Sequence, residues 1–184
     1  MLKKRELHET SELFDLLIDP NVFPYVRHKA ASLDEFYFIT KQLIEAEERG
    51  ELISRTIVDE WNKPIGTINL YDIDQNSGFL ATWLGKPYFG KGYNQLAKES
   101  FLYELFFECN IEAVFMKIRK DNIRSKKAVE KLPYSIQGND LYPQVYASIN
   151  NQEAMYDLYV IPKDHYLFYY YNQQNQYNEV EQQA

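Results

Sequence analysis

The sequence predicts a mixed α/β fold, α+β in outline, in which a mostly antiparallel set of strands is flanked by helices. Three observations carry this. Residues 52–84 read as apolar strands separated by short polar turns, the pattern of an antiparallel meander. An amphipathic run, Leu96 to Phe107, then links the strand ending at Leu84 to another apolar strand, Ala113 to Ile118, as one crossover and not a doubly wound repeat. The chain has 184 residues and is 45% hydrophobic, enough for one domain with a sheet covered by helices.

Each element has its own signal. Thr10 or Ser11 is placed to cap a helix carrying Leu13, Leu16 and Leu17 that ends near Asp19 and Pro20. Ser32 opens a second, with Phe36, Ile39, Leu43 and Ala46 on one face. The strand Leu52 to Val58 turns at Asp59–Pro64 into Ile65 to Tyr71, a hairpin, and the Asp74–Gly78 turn leads into Phe79 to Leu84. After Ala113 to Ile118, Asn122 is positioned to cap a short helix ending at Leu132, where Pro133 stops it. Tyr142 to Tyr146 and Met155 to Val160 read as a closing hairpin. The expected domain spans 1–165. Residues 166–184 form a tail of Tyr followed by Asn, Gln and Glu, frayed beyond about Tyr171. Its run Tyr169–Tyr171 suits surface packing, a pocket cap or a dimer contact.

Composition removes several function classes. A net charge of -7 argues against nucleic-acid binding as the main task and suits a cationic partner. The cluster Arg119, Lys120, Arg124, Lys126 and Lys127 is a local exception, readable as a solvated helix face or as phosphate contacts. No run approaches the roughly 20 apolar residues that span a bilayer, and Met1 to Glu6 turn charged, so neither membrane insertion nor secretion is expected. The single cysteine, Cys109, has no intramolecular disulfide partner and suits a reducing cytoplasm. It ends an apolar helix and reads as buried, not as a nucleophile. His8, His28 and His165 are dispersed, with no metal or triad spacing.

The segment from Trp83 to Asn94 is the most informative. Glycine is scarce here, seven in the chain, yet Gly90 and Gly92 bracket Lys91 directly before a helix. Residues without Cβ let successive N–H groups converge, and the first N–H groups of a helix lack intrahelical partners and sit at its positive dipole end. A phosphate suits such a turn, with Lys91 adding positive charge. A dinucleotide fingerprint would need a third glycine, and position 95 is Gln95; no Gly-Lys-Ser or Gly-Lys-Thr marks a P-loop.

Strand, Gly-x-Gly turn, helix, strand and then Asp121-Asn122-x-x-Ser125 opening a short helix that ends Val129-Glu130-Lys131-Leu132 resemble the GNAT superfamily of acetyl-CoA-dependent N-acyltransferases, in its RimJ/RimL-type branch. The likeness runs from the helix near Glu9 to Tyr159 and is most specific between Gly66 and Leu132. It implies a sheet with a central splay that admits the pantetheine arm of acetyl-CoA, the co-substrate. Backbone groups of Trp83 and Leu84 would bind the pantetheine amides, and those of Phe89, Gly90, Lys91, Gly92, Tyr93 and Asn94 the pyrophosphate. Asn122 would orient the cofactor and Ser125 would protonate the departing thiolate, although both residues also read as helix-capping groups. The reaction implied is direct acetyl transfer to a primary amine in a ternary complex. The acceptor stays open among a protein N-terminus, a polyamine and an aminoglycoside-like molecule, as does a homodimer.

Three positions depart from the family pattern: Pro133 stands for a glycine, and Phe79 and Leu96 stand where acidic residues are common. Without those acids the general base is unidentified, with Glu99, Asp72 and Asp74 as candidates by chain proximity and a water relay as another route. The alternative reading is a CoA-binding sensor or partner-binding module with weakened catalysis. Asp157 matches a position often acidic in the family and equally suits a carboxylate on an edge-strand surface.

Overall fold

The computed structural model describes residues 1–151 and 155–181, with the side chains of 124 and 176–181 outside that description. The chain divides into two compact units, Met1–Asn110 and Ile111–Ala184.

The first unit is built on four strands, β1 (Leu2–Lys4), β2 (Ile53–Val58), β3 (Pro64–Asp74) and β4 (Ser77–Leu84), adjacent in that order and antiparallel throughout. β2 and most of β3 are buried, with Ile57, Ile65, Ile68 and Leu70 at or below 1% exposure. The β2–β3 turn is held by the Asp59 carboxylate, which accepts from the N–H groups of Trp61 and Lys63 at 3.0 and 2.9 Å. The β3–β4 turn places Gln75 and Asn76 at positive φ, the geometry of a two-residue hairpin loop. Short, charged β1 carries no strand signal of its own and forms by pairing with β2.

Helices α1 (Thr10–Leu17) and α2 (Leu33–Glu48) bury one cluster, Leu13, Leu17, Val22, Val26, Ala30 and Phe36, against which Trp83 of β4 packs. Ser32 caps α2 by accepting from the Glu35 N–H at 3.2 Å, as the sequence predicts. Thr10 does not cap α1: its hydroxyl donates back to the Leu7 carbonyl at 2.6 Å, because a 3-10 turn, Leu7–Glu9, already leads into the helix. Helix α3 (Tyr93–Phe107) buries Ala97, Phe101, Leu102, Leu105 and Phe106. Arg55 of β2 fastens it, its guanidinium paired with Glu104 of α3 and Glu47 of α2. Cys109 is half-buried, and burial raises its thiol pKa, which suits an inert cysteine.

The second unit contains β5 (Ala113–Arg119), α4 (Ile123–Glu130), β6 (Ile136–Gln137), α5 (Pro143–Ile149), β7 (Tyr156–Pro162) and α6 (Lys163–Glu181). β7 lies between β5 and β6, antiparallel to both. The expected closing hairpin of 142–146 with 155–160 is thereby corrected. Pro143 has no N–H to give a ladder and instead starts α5, while β7 finds its partners in β5 and two residues of β6. The tail expected to fray beyond Tyr171 is helical through Glu181, and residues 182–184 lie outside the described residues. Aromatic packing anchors this helix, with the Tyr134 ring 5.2 Å from both Tyr166 and Tyr169 one turn apart. Among the described residues no helix is long and apolar enough to cross a membrane.

The fold class is the mixed α/β one that the sequence predicts. Its tightest backbone approach is at Gly66, where an added Cβ would lie 2.2 Å from the Trp83 carbonyl oxygen. Gly66→Ala is expected to destabilise the protein by about 1–3 kcal/mol through overpacking, read as a lower midpoint in urea at unchanged slope.

Candidate active site

In the first unit, the end of β4 is anchored by the Gly85 N–H, which donates to the Ile65 carbonyl at 2.8 Å. A 3-10 turn, Lys86–Tyr88, follows, and the chain reverses through Gly90 at φ +71° and Gly92 at φ +86° before entering α3. Those left-handed values are why glycine occupies both positions. Gln95 and Leu96 donate to the Gly92 carbonyl at 3.0 and 3.1 Å, so the N–H groups of Tyr93 and Asn94 lie ahead of the first intrahelical bond. No side chain caps this end of α3. An ideal Cβ at Gly90 or Gly92 meets nothing within 4 Å, so the backbone is bare on that side. The turn therefore presents open N–H groups at a positive helix end, the arrangement that accepts a phosphate.

Side chains brace the turn from behind. The Tyr93 hydroxyl donates to Glu60 at 2.5 Å, its ring meets Tyr88 edge-on at 5.8 Å, and the Lys91 ammonium lies 5.7 Å from the Tyr88 ring centre. The hydrogen bond to Glu60 holds the Tyr93 phenol protonated, its pKa pushed up to about 12. Phe89, expected among the phosphate donors, has its N–H committed to the Lys86 carbonyl at 3.1 Å. The exposed donors are those that follow it, from Gly90 to Asn94.

In the second unit, Asn122 caps α4, its side-chain oxygen accepting from the Ser125 N–H at 3.1 Å. The Ser125 hydroxyl has no partner among the described residues, so capping uses the backbone of Ser125 and leaves Oγ available. Two members of the basic cluster are paired: Arg119 grips Asp121 at 3.1 and 3.0 Å, and Lys126 binds Asp157 at 2.6 Å. Asp157 does not sit on an edge-strand surface. It is 6% exposed on β7; burial acts to raise its carboxyl pKa, but the hydrogen bonds from Lys126 and Asn139 outweigh it and hold the value below the ordinary one.

Of the carboxylates proposed as bases by chain proximity, two have hydrogen-bond partners and the third is exposed. Arg27 holds both oxygens of Asp72 at 2.9 and 2.8 Å, Glu99 accepts from Gln95 at 3.0 Å, and Asp74 is exposed in the hairpin tip. Two features escaped sequence reading because their members are far apart in the chain. One is the Arg55–Glu104–Glu47 network. The other is His28, whose Nδ1 lies 3.5 Å from the Tyr71 hydroxyl, with the rings edge-on at 5.3 Å.

Residues 1–134 match the family described as Acetyltransferase (GNAT) domain. No curated protein matches the sequence. Among solved structures, a chimera of spermidine N-acetyltransferase SpeG from Vibrio cholerae and hSSAT is 13% identical, with 91% of this chain and 97% of that chain covered at a TM-score of 0.70. Ribosomal-protein-S5-alanine acetyltransferase from Vibrio fischeri is 16% identical over 89% and 92% of the two chains, with a TM-score of 0.69. A GNAT-family acetyltransferase from Bacillus anthracis is 15% identical over 89% and 94%, at 0.67. At such identities the likeness is one of fold.

The Asn122 cap gives a direct check on α4. Asn122→Ala is expected to cost about 1 kcal/mol in urea unfolding, and Asn122→Asp, which keeps an acceptor, a small part of that.

Proposed function

We propose that this chain, which belongs to the GNAT acetyltransferase family, moves an acetyl group from acetyl-CoA directly to a primary amine in a ternary complex. The observation that carries this reading is the bare turn at Gly90–Gly92, open on its outer side and followed by free N–H groups of α3. Residues Gly90 to Asn94 would hold the pyrophosphate through backbone donors, with Lys91 adding charge. Backbone groups of Trp83 and Leu84 would pair with the pantetheine amides as an added strand, and an N–H near Leu84 would polarise the thioester carbonyl. Asn122 would orient the cofactor, while the Ser125 hydroxyl would deliver a proton to the thiolate.

The acceptor must lose a proton before it attacks. A lysine-like amine with pKa about 10.4 stands roughly 4 to 5 kcal/mol from its neutral form at pH 7, whereas an α-amine near 8 stands about 1 kcal/mol away. A protein N-terminus, a polyamine and an aminoglycoside-like molecule all fit the acidic chain, and the solved relatives named for spermidine and for a ribosomal-protein alanine both act on amines. Phe79 and Leu96, apolar where acids are common, favour as a second reading a CoA sensor without turnover.

A thermal-shift titration with acetyl-CoA, followed by free-thiol release against amines and N-terminal peptides, separates these readings. A ligand at a hundred times its dissociation constant adds about 2.7 kcal/mol of stability. A shift with thiol release supports the transferase, a shift without release supports the sensor, and no shift removes both. Gly92→Val is expected to abolish the acetyl-CoA shift. Space for the valine exists, so the effect arises from the left-handed φ that a β-branched residue resists, which rearranges the donors. Ser125→Ala is expected to slow turnover with little change in acetyl-CoA affinity; an unchanged rate in a chemistry-limited assay would leave Ser125 a structural residue.

A further inference from the structure

Besides Asp72, Asp74 and Glu99, the first unit holds a further candidate for the base of the acceptor amine. Register pairs Thr67 with Trp83, Asn69 with Ala81 and Tyr71 with Phe79, so these side chains share one face of β3 and β4. It is the face on which Trp83 meets the α1–α2 cluster. A pantetheine arm held at Gly90–Gly92 and paired with Trp83 and Leu84 would continue along β4 in the direction of Phe79, which would bring its thioester toward the end of the strand pair marked by Tyr71. His28, in the loop before α2, packs on that tyrosine and lines a cavity of about 310 Å³ together with Ile39, Leu43, Ala46, Gln42 and Glu45.

We propose that His28 is the catalytic base that takes the proton of the acceptor amine, that the amine's hydrocarbon lies on Ile39, Leu43 and Ala46, and that Glu45 draws the protonated amine into this cavity. The proposal rests on the transferase reading above. In the step, an ammonium acceptor gives one proton to the imidazole, which later passes it to solvent. The neutral nitrogen then forms the N–C bond to the thioester carbon as the C–S bond breaks, and the second proton lost from nitrogen ends on the CoA sulfur. The overall products are the N-acetyl amine, free CoA thiol and one released proton.

The surroundings favour the neutral imidazole, whose Nδ1 faces the Tyr71 hydroxyl at 3.5 Å while Nε2 has no hydrogen bond among the described residues. Burial and then Arg27 push its pKa below 6.5, with Asp72 acting in the opposite sense. The charged and titratable neighbours are Arg27 and Lys29 on its own loop, Tyr71 and Asp72 from β3, and Glu45 and Arg49 from α2. Arg27 is paired with Asp72, and Arg49 with Glu51 at 2.6 and 3.0 Å, while Glu45, which also acts on Arg49, brings a further carboxylate to the cavity. Its nearest ammonium, Lys41, is 3.9 Å away.

The test is the pH dependence of kcat/KM for acetyl-CoA and 1,4-diaminobutane, with thiol release as the readout. In the wild type the rate should rise through an ionisation below 6.5 and then hold level up to the amine's own pKa. His28→Gln should lose about a hundredfold or more at pH 7 and rise tenfold per pH unit across that range, with the acetyl-CoA thermal shift retained. His28→Asn, as a second variant, should behave alike. Glu45→Gln should raise KM severalfold at unchanged kcat. A level profile retained in both His28 variants would overturn the base while leaving the transferase standing. An unchanged KM in Glu45→Gln would overturn the cavity as the acceptor site. Wild-type protein that is stabilised by acetyl-CoA but releases no thiol with the diamine or with an N-terminal alanine peptide would overturn the transferase reading and this base together.

Discussion

The close approach of β3 and β4 at Gly66 is the constraint from which the candidate site follows. With no side chain there, the Trp83 carbonyl comes close over the strand, and the next residues inherit their course: Gly85 bonds back to Ile65 and touches the Leu16 side chain of α1, leaving no room for its own Cβ. Held at that point, the chain can reach α3 in a few residues only by turning through left-handed backbone, which is where Gly90 and Gly92 stand. The helix then begins with uncapped donors. The phosphate-like cradle is thus a consequence of strand spacing and turn geometry, with side chains bracing it from the far side.

Buried polar pairs fix the remaining elements of the first unit. On the α1–α2 face, Thr56 donates to Glu9 at 2.7 Å, and Ser54 and Thr67 both bond to Asn69. Arg55 spans from β2 to α3 and α2 through two carboxylates. Such pairs add little net stability over apolar packing, yet each leaves an uncompensated group if its partner is displaced, so they specify one arrangement of helices on the sheet. Arg5 departs from this economy of partners. It is 6% exposed and donates to Thr40 at 3.3 Å, while its Nε and one Nη find no partner among the described residues. Its cost is tempered by proximity to Glu9, Glu47 and the Tyr71 phenol.

Local chemistry was legible in the sequence, and distant pairing was not. The hairpins of 52–84 announced themselves by alternation and turn residues, the Ser32 and Asn122 caps by residue type ahead of an apolar run, and the turn into α3 by scarce glycine before a helix. Tyr142 to Tyr146 misled because aromatic, β-favouring residues sit behind a proline whose missing N–H suits a helix start better than a ladder. The polar C-terminal run misled because its composition alone says nothing of Tyr134, which packs on two of its tyrosines. His28 and Tyr71 meet across 43 residues of chain, and no motif joins them.

That last contact bears on which side chain in this neighbourhood keeps its lone pairs out of an ion pair. Two guanidiniums, Arg5 and Arg27, act on Tyr71, and the carboxylate that acts on it with them, Asp72, is gripped through both oxygens by Arg27. A carboxylate placed in this neighbourhood becomes an ion-pair partner, its lone pairs engaged. A neutral imidazole makes no such ion pair; Nδ1 of His28 lies 3.5 Å from the Tyr71 hydroxyl, and Nε2 has no hydrogen bond among the described residues. Phe79, opposite Tyr71 in the ladder, extends apolar surface on the same face, and desolvation acts on an imidazole in the sense that keeps it uncharged at neutral pH. A histidine here therefore presents an uncharged imidazole where a carboxylate would be held by arginine.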